Sequence, residues 1–242
     1  MINSVTSIEQ IKDFPSDIFG GKILSLAYAY GFDYDFCRFY RSGGLLIGKY
    51  YSDFIAAGEC DDFEELGWFL TLNGFSSVLL SPENAEGIKP FVRGEYSEDY
   101  VYEYRGPAGG GDIIVNPPLD EVYKILKDGF PDLPYGEWYP DMSHRIRHGV
   151  SECYILDGAT CAKMFDIKGT AFISLVASSR EMRGKGSAFR LLQTVCGSIL
   201  KDREHILLIC RKELQPFYEK VGFTKRGNAV TIKYSVQNAA ES

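Results

Sequence analysis

The chain of 242 residues has no C-x-x-C pair among its six cysteines, only three histidines, and no apolar run approaching the ~20 residues of a membrane span. Each shortage excludes something. Zinc-ribbon and dithiol redox readings lack their spacing, so Cys37, Cys60, Cys153, Cys161, Cys196 and Cys210 read as reduced core thiols. His144 and His148 in "HRIRH" stand four apart, as two ligands on one helical face would, but no third ligand or general-base glutamate accompanies them. A solvated basic face is expected there, and no metal. Basic charge is short as well: 26 Lys and Arg against 33 Asp and Glu leave a net charge of -7. With no basic, aromatic-interleaved stripe, a nucleic-acid partner is not expected. The start "MINSVTSIEQIKDF" lacks the basic opening and apolar centre of a secretory signal, so the expected location is cytoplasmic, with no membrane partner.

What is present is an ordinary globular composition, 45% hydrophobic and 24% charged, enough for one large domain or two small ones. The charge is uneven. Residues 1–112 hold 8 Lys and Arg against 18 Asp and Glu, net -10, while residues 113–242 hold 18 against 15, net +3. The sign changes at "RGPAGGGD", four glycines and a proline in eight residues, too flexible for an element interior. The expected organisation is therefore an acidic N-terminal α+β domain at 1–105, a Gly-rich linker at 106–112 and a C-terminal domain at 113–242.

In the first half "KILSLAYAY", "DFCRFYR" and "GLLIGKYYSDFIAAG" read as strands of an antiparallel sheet. "DDFEELGWFLTLNG" then takes helical spacing, and "SSVLLS" is a buried strand. In the second half "LDEVYKILKDG" is an amphipathic helix with a glycine stop. Three strands follow in meander order, "SECYIL", "ATCAKMFDI" and "TAFISLVAS", joined by Asp157-Gly158 and Lys168-Gly169 turns. A two-residue turn at Asp157-Gly158 sets Tyr154 opposite Cys161 and Cys153 opposite Ala162, a register that keeps the two sulfurs unbridged. A helix from about Ser187 to Leu200 presents Ala188, Leu191, Leu192, Val195 and Ile199 to the sheet. The strand "HILLIC", a helix across "KELQPFYEKVG" and the strand "NAVTIKYSV" complete an α+β unit around one mixed sheet.

The chemistry concentrates in "REMRGKGSAFRLLQ", Arg180 to Gln193. Two glycines and several cations precede a helix whose first turn carries no acid, although Asp or Glu is the usual choice there. The stretch fails the Walker pattern, and it fails the dinucleotide fingerprint because Phe189 stands where the third glycine belongs. What remains is a strand ending near Ser178, a flexible loop and a helix whose free N–H groups point back at that loop, which together make a seat for a pyrophosphate.

These residues resemble a known family. "RGKGSA" fits the R/Q-x-x-G-x-G/A acyl-coenzyme A signature of the GNAT superfamily of N-acetyltransferases, with Arg183, Gly186 and Ala188 in the defining positions. "PFYEKVGF", Pro216 to Phe223, is similar to the family's second hallmark. The resemblance implies a mixed, mostly antiparallel sheet flanked by helices, with acetyl-CoA as donor and an amine as acceptor. The pyrophosphate would sit on Arg183, Gly184, Lys185, Gly186, Ser187 and Ala188, and the pantetheine arm would add like a strand to Val176, Ala177 and Ser178. Tyr218 falls on the tyrosine that serves as general acid toward the departing thiolate. Two positions depart from the pattern, Arg180 for a common proline and Arg211 for a common asparagine, and both add positive charge. "TAFISLVAS" carries no acid where the family often places its base; Glu152 and Asp166 are the nearby candidates, neither on a motif position.

The same resemblance leaves alternatives: a non-catalytic acyl-CoA binder, and in third place an aminoacyl-tRNA-dependent transferase, which needs a basic surface this composition lacks. The order of the N-terminal half parallels that of the C-terminal half, as a degenerate second copy would. Its loop "ECDDFEE" would repel a pyrophosphate, and an acidic wall there would favour a cationic amine.

Overall fold

The computed structural model describes residues 1–108 and 110–235; Gly109 of the linker, the last residue of "NAVTIKYSV" and the tail after it lie outside the described residues. In chain order the elements are β1 (Asn3–Val5), α1 (Ile18–Tyr30), β2 (Cys37–Ser42), β3 (Leu45–Tyr50), β4 (Asp53–Ala57), α2 (Phe63–Leu72), β5 (Ser77–Leu80), α3 (Pro82–Ile88) and β6 (Glu95–Tyr104). Then come β7 (Ile114–Val115), α4 (Leu119–Gly129), α5 (Tyr135–Arg147), β8 (Glu152–Leu156), β9 (Ala159–Ile167), β10 (Thr170–Ser178), α6 (Ser187–Ile199), β11 (His205–Cys210), α7 (Gln215–Val221) and β12 (Phe223–Lys233). The chain is α+β, its strands mostly antiparallel, with β4 beside β5 and β10 beside β11 as parallel pairs. No helix among the described residues is long and apolar enough to cross a membrane.

The chain forms two compact units, Met1–Tyr100 with Gly227–Ser242, and Val101–Arg226. The division falls inside β6 and inside β12, so the last strand serves the first unit. A charge count along the chain cannot reveal such a return.

In the first unit the strand order is β1-β2-β3-β4-β5, continued by residues 227–233 of β12 and 95–100 of β6. Phe54, Leu66, Leu70, Val78, Ile88, Val230 and Ile232 form its core. The expected strand "KILSLAYAY" is instead part of α1. Asp17 caps that helix through the amides of Phe19 and Gly20, and ten of its thirteen residues are buried. A segment buried on every side has no polar face to betray a 3.6-residue period, and its apolar run reads equally as a strand.

In the second unit residues 101–104 of β6 lead the order β6-β11-β10-β9-β8-β7. Here the pattern held: α4 spans the expected residues, and the Asp157-Gly158 and Lys168-Gly169 turns carry the positive φ angles of a tight two-residue turn. Tyr154 pairs with Cys161 and Cys153 with Ala162, and all six cysteines are free. The Pro- and aromatic-rich segment after α4 supplies α5, whose Trp138 and Met142 join Val122 and Leu126 of α4 over Cys153, Ala162 and Ala177.

Glu103 is the charged anchor of this unit. Only 3% exposed, it receives His205 Nδ1 at 2.5 Å, Arg226 Nη1 at 2.5 Å and Arg105 Nη2 at 2.7 Å. Burial works to raise its carboxyl, but the hydrogen bonds from His205 and Arg226 and the charges of Arg226 and Arg105 outweigh it and hold it below the usual carboxylate range. A depressed folded pKa contributes stability above the unfolded value of ~4.3, which is lost as pH falls through the folded one. Glu103→Gln is expected to destabilise by about 1–3 kcal/mol at pH 7, less than a fully sealed pair because its partners keep a route to water. Urea titrations of both proteins from pH 7 down to pH 3 should show the gap closing; a gap independent of pH would refute the assignment.

Candidate active site

β10 and β11 start as a parallel pair and then part. Thr170 pairs with His205, Ala171 with Ile206 and Phe172 with Leu207, and the pairing goes no further although β11 runs to Cys210 and β10 to Ser178. On its other edge β10 stays with β9, but the register jumps from Ser174 opposite Ala162 to Ala177 opposite Thr160, leaving one extra residue in β10. Leu175 within that bulge has φ +53°, a left-handed conformation rare for a branched residue. Such a bulge bends its strand away from the neighbour and leaves ladder groups unpaired. The result is a V-shaped gap at the C-terminal ends of two parallel strands, with Val176, Ala177 and Ser178 along one side.

At the mouth of the gap the chain turns through Arg180–Met182 into the loop before α6. Gly184 and Gly186 have φ +74° and +78°, and Gly186 is the N-cap of α6 with no side-chain cap. Among the described residues the amides of Gly184, Gly186, Ser187, Ala188 and Phe189 meet no acceptor, whereas those of Arg183 and Lys185 already bond the carbonyls of Arg180 and Met182. Five N–H groups thus fan out at the positive end of a thirteen-residue helix without an acid in its first turn. Ser187, 1% exposed, adds a buried hydroxyl with no partner. An anion with several oxygens would satisfy this set.

The loop is braced by ion pairs that use up most of its arginines. Asp128, at the end of α4, accepts from the Arg180 amide at 2.8 Å, pairs with Arg180 Nε at 3.2 Å, and its carbonyl takes the Arg183 guanidinium. Arg190 spans from Asp157 at 3.0 Å to the Lys185 carbonyl at 3.0 Å. The ammonium of Lys185 pairs with no carboxylate among the described residues.

Tyr218 lies on α7, which opens on Pro216 in its first turn and closes on Gly222, a left-handed C-cap with φ +116°. The next residue along, Glu219, is fixed by Gln215 Nε2 at 2.9 Å and the Tyr102 hydroxyl at 3.3 Å. Tyr218 is 7% exposed, packs edge-on to Phe223, and its hydroxyl makes no hydrogen bond among the described residues. Burial first, then the neighbouring Cys210, Cys161 and Cys196 thiols, push its pKa well above the ordinary tyrosine range. Of these thiols, Cys210 ends β11 and Cys161 stands on β9 between the residues that face Ser174 and Ala177.

Glu152 and Asp166 are elsewhere. Asp166 pairs with Ala171 near the start of β10, three to six residues from the bulge, or ~10–20 Å along the strand. Lys163 sits between the two acids at 3.1 and 3.3 Å, and Arg203 also pairs with Asp166. They line a separate cavity of about 460 Å³ against α6 and Asp112. Both carboxylates are thus held in ion pairs beside that cavity. His144 and His148 stack on each other, ring centroids 4.0 Å apart, at the end of α5.

The strand pair thus splays beside a Gly-rich helix start. Residues 140–234 match the family model described as Acetyltransferase (GNAT) domain. Solved structures of that kind resemble the chain over nearly its whole length. A GCN5-related N-acetyltransferase from Kribbella flavida is 14% identical over 92% of this chain and 96% of that one, with a TM-score of 0.61. A GNAT-family acetyltransferase from Colwellia psychrerythraea is 11% identical over 97% and 100%, TM-score 0.58. A tandem GNAT protein from the clavulanic acid biosynthesis pathway is 11% identical over 98% and 99%, TM-score 0.58. At such identities the likeness is one of fold. No curated protein compared with the chain matches it.

Proposed function

We propose that the protein is an N-acetyltransferase that moves the acetyl group of acetyl-CoA to a primary amine of a small molecule or peptide by direct attack. The observation that carries this reading is the coincidence, at one end of β10, of the strand gap and the fan of unpaired amides. The N–H groups of Gly184, Gly186, Ser187, Ala188 and Phe189 would hold the pyrophosphate, and Lys185 would add its charge. Val176, Ala177 and Ser178 would pair with the pantetheine amides as a missing strand does, with the β10 N–H groups freed by the bulge polarising the thioester carbonyl.

The amine nitrogen attacks that carbonyl as its neutral form, the N–C bond forms, and the C–S bond breaks as the tetrahedral centre collapses. The thiolate takes the Tyr218 proton, and the proton lost by the amine leaves through water or backbone carbonyls, since β10 carries no acid and Glu152 and Asp166 are engaged elsewhere. A phenol whose pKa is raised by burial keeps its proton until the leaving group needs it.

The first unit fits a second, degenerate copy of the same plan. Its order of strand, helix, three strands, helix, strand and helix is that of the second unit with one helix fewer. At the matching place the start of α2 is sealed rather than open. Asp62 caps the Glu65 amide at 2.8 Å, Glu64 and Glu65 fill the first turn, and Asn84 Nδ2 donates to the Gly58 carbonyl at 2.9 Å. This copy is read as having no donor site.

Calorimetric titration with acetyl-CoA, followed by thiol release against a broad panel of primary amines, tests the proposal. Micromolar binding, about 8 kcal/mol, with turnover on at least one amine is expected. Binding without turnover on any amine favours the non-catalytic acyl-CoA binder, a reading that the lack of an acid on β10 supports; no binding by folded protein overturns both.

A further inference from the structure

The outer face of α2 is apolar where a surface helix is ordinarily polar. Leu66 and Leu70 turn into the core of the first unit, while on the other side Trp68 is 58% and Leu72 80% exposed. Glu64, Trp68 and Leu72 recur every fourth residue and form one stripe, ~12 Å long. Phe91, 41% exposed, widens it: a Cβ on Gly67 would stand 2.5 Å from that of Phe91, so the segment after α3 lies directly on the helix. From there the chain runs toward the C-terminal end of α2. A Cβ on Gly94 would stand 2.5 Å from the carbonyl oxygen of Lys233, which pairs with Ser77 at the head of the strand that follows α2. Arg93 is thereby carried to that end. The charges at the two ends of the stripe are uncommitted. Glu65 is held by the Ile2 amide at 2.6 Å and the Met1 amine at 3.1 Å, and Lys89 by Glu86 at 3.3 Å. Glu64 and Arg93, both exposed, have no ion-pair partner among the described residues.

We propose that this face is the contact between two copies of the chain, packed as an antiparallel pair of α2 helices about a two-fold axis beside Trp68. Such an axis across a helix reverses its mate, so the N-terminal end of one α2 meets the C-terminal end of the other. Each free acid then meets a free arginine. Glu64 faces the arginine at position 93 of the second copy, and symmetry repeats the contact on the other side of the axis. Trp68, Leu72 and Phe91 supply the centre, aromatic and uncharged as the core of an interface is. The occupant is a second copy because the stripe carries its own complement: apolar in the middle, an acid at one end and a base at the other. The opposed helix dipoles add to the attraction. This contact stands independently of the donor site.

Sedimentation velocity on the full chain over a dilution series tests this, with circular dichroism to confirm folding. The wild type is expected to be a dimer at high concentration that dissociates on dilution. Trp68→Glu, at an exposed position, should give a folded monomer throughout the series. Glu64→Arg and Arg93→Glu should each weaken the dimer by about tenfold or more, since each sets like charges face to face twice, and the double variant should restore it. A wild type that stays monomeric at the highest concentration overturns the proposal and leaves the face to a different protein. A dimer indifferent to Trp68→Glu overturns it by placing the contact elsewhere. Single charge reversals without effect, or a weakening that the double variant does not repair, refute the antiparallel pairing.

Discussion

Gly186→Glu is expected to abolish acetyl-CoA binding, lowering affinity by more than about 100-fold, while the protein remains folded. Two effects act at one place. The residue has φ +78° at the N-cap of α6, where an L side chain costs about 1–2 kcal/mol. A carboxylate there would also face the pyrophosphate at the positive end of the helix and repel it. Gly186→Ala separates the two, since it carries the strain and the same 3.3 Å approach to Arg190 Nη1 without the charge. It should weaken binding only about fivefold to tenfold, the equivalent of about 1 kcal/mol. Circular dichroism and calorimetry on the three proteins decide the matter: unchanged affinity in a folded Gly186→Glu variant would remove the anion seat from the protein.

Tyr218→Phe is expected to lower kcat by about 100-fold or more, the usual contribution of a positioned general acid, with the KM for acetyl-CoA unchanged. Stability offers an unusually clean control. The hydroxyl has no hydrogen-bond partner among the described residues, so its loss leaves nothing orphaned and Tm should hold or rise slightly. Because the phenol is raised above its ordinary range, it stays protonated through neutral and mildly alkaline conditions, and this group should impose no alkaline fall in kcat below pH ~10. Steady-state rates from pH 6 to pH 10 for both proteins test this; equal kcat values would reduce Tyr218 to a packing residue beside Phe223.

Where sequence reading worked, the physics was local. The two turns of the meander need positive φ at Asp157-Gly158 and Lys168-Gly169, and that requirement sets the register of β8, β9 and β10 residue by residue. α4 shows its period because one face meets water, and α1 hides its period because none does. The helix start at Ser187 could be read as an anion seat because the signal was an absence, no acid in the first turn, next to two glycines. The part of the seat that escaped was cooperative. No pattern announces that the Arg183 and Lys185 amides are turned inward, or that Phe189 supplies one of the free ones.

The acids illustrate the same limit. Glu152 and Asp166 lie close in sequence to β10 and were reasonable proton acceptors on that ground. Asp166 lies opposite Ala171 near the start of β10 and Glu152 lies two strands away on β8, and Lys163 and Arg203 hold them. A parallel pair opens only at one end, and which acids face the opening depends on antiparallel pairing with β9, not on distance along the chain.

By itself, then, the sequence determined the elements whose cause lies within a few residues: tight turns, amphipathic helices, the glycine-rich helix start and the "PFYEKVGF" helix with its tyrosine. Tertiary structure alone decided that β11 leaves β10 after Phe172 and that the last strand returns to the first unit. These are pairings between segments far apart in the chain, selected by the burial of shared apolar surface and by which ladder groups remain unpaired, and such choices leave no periodic trace in either partner.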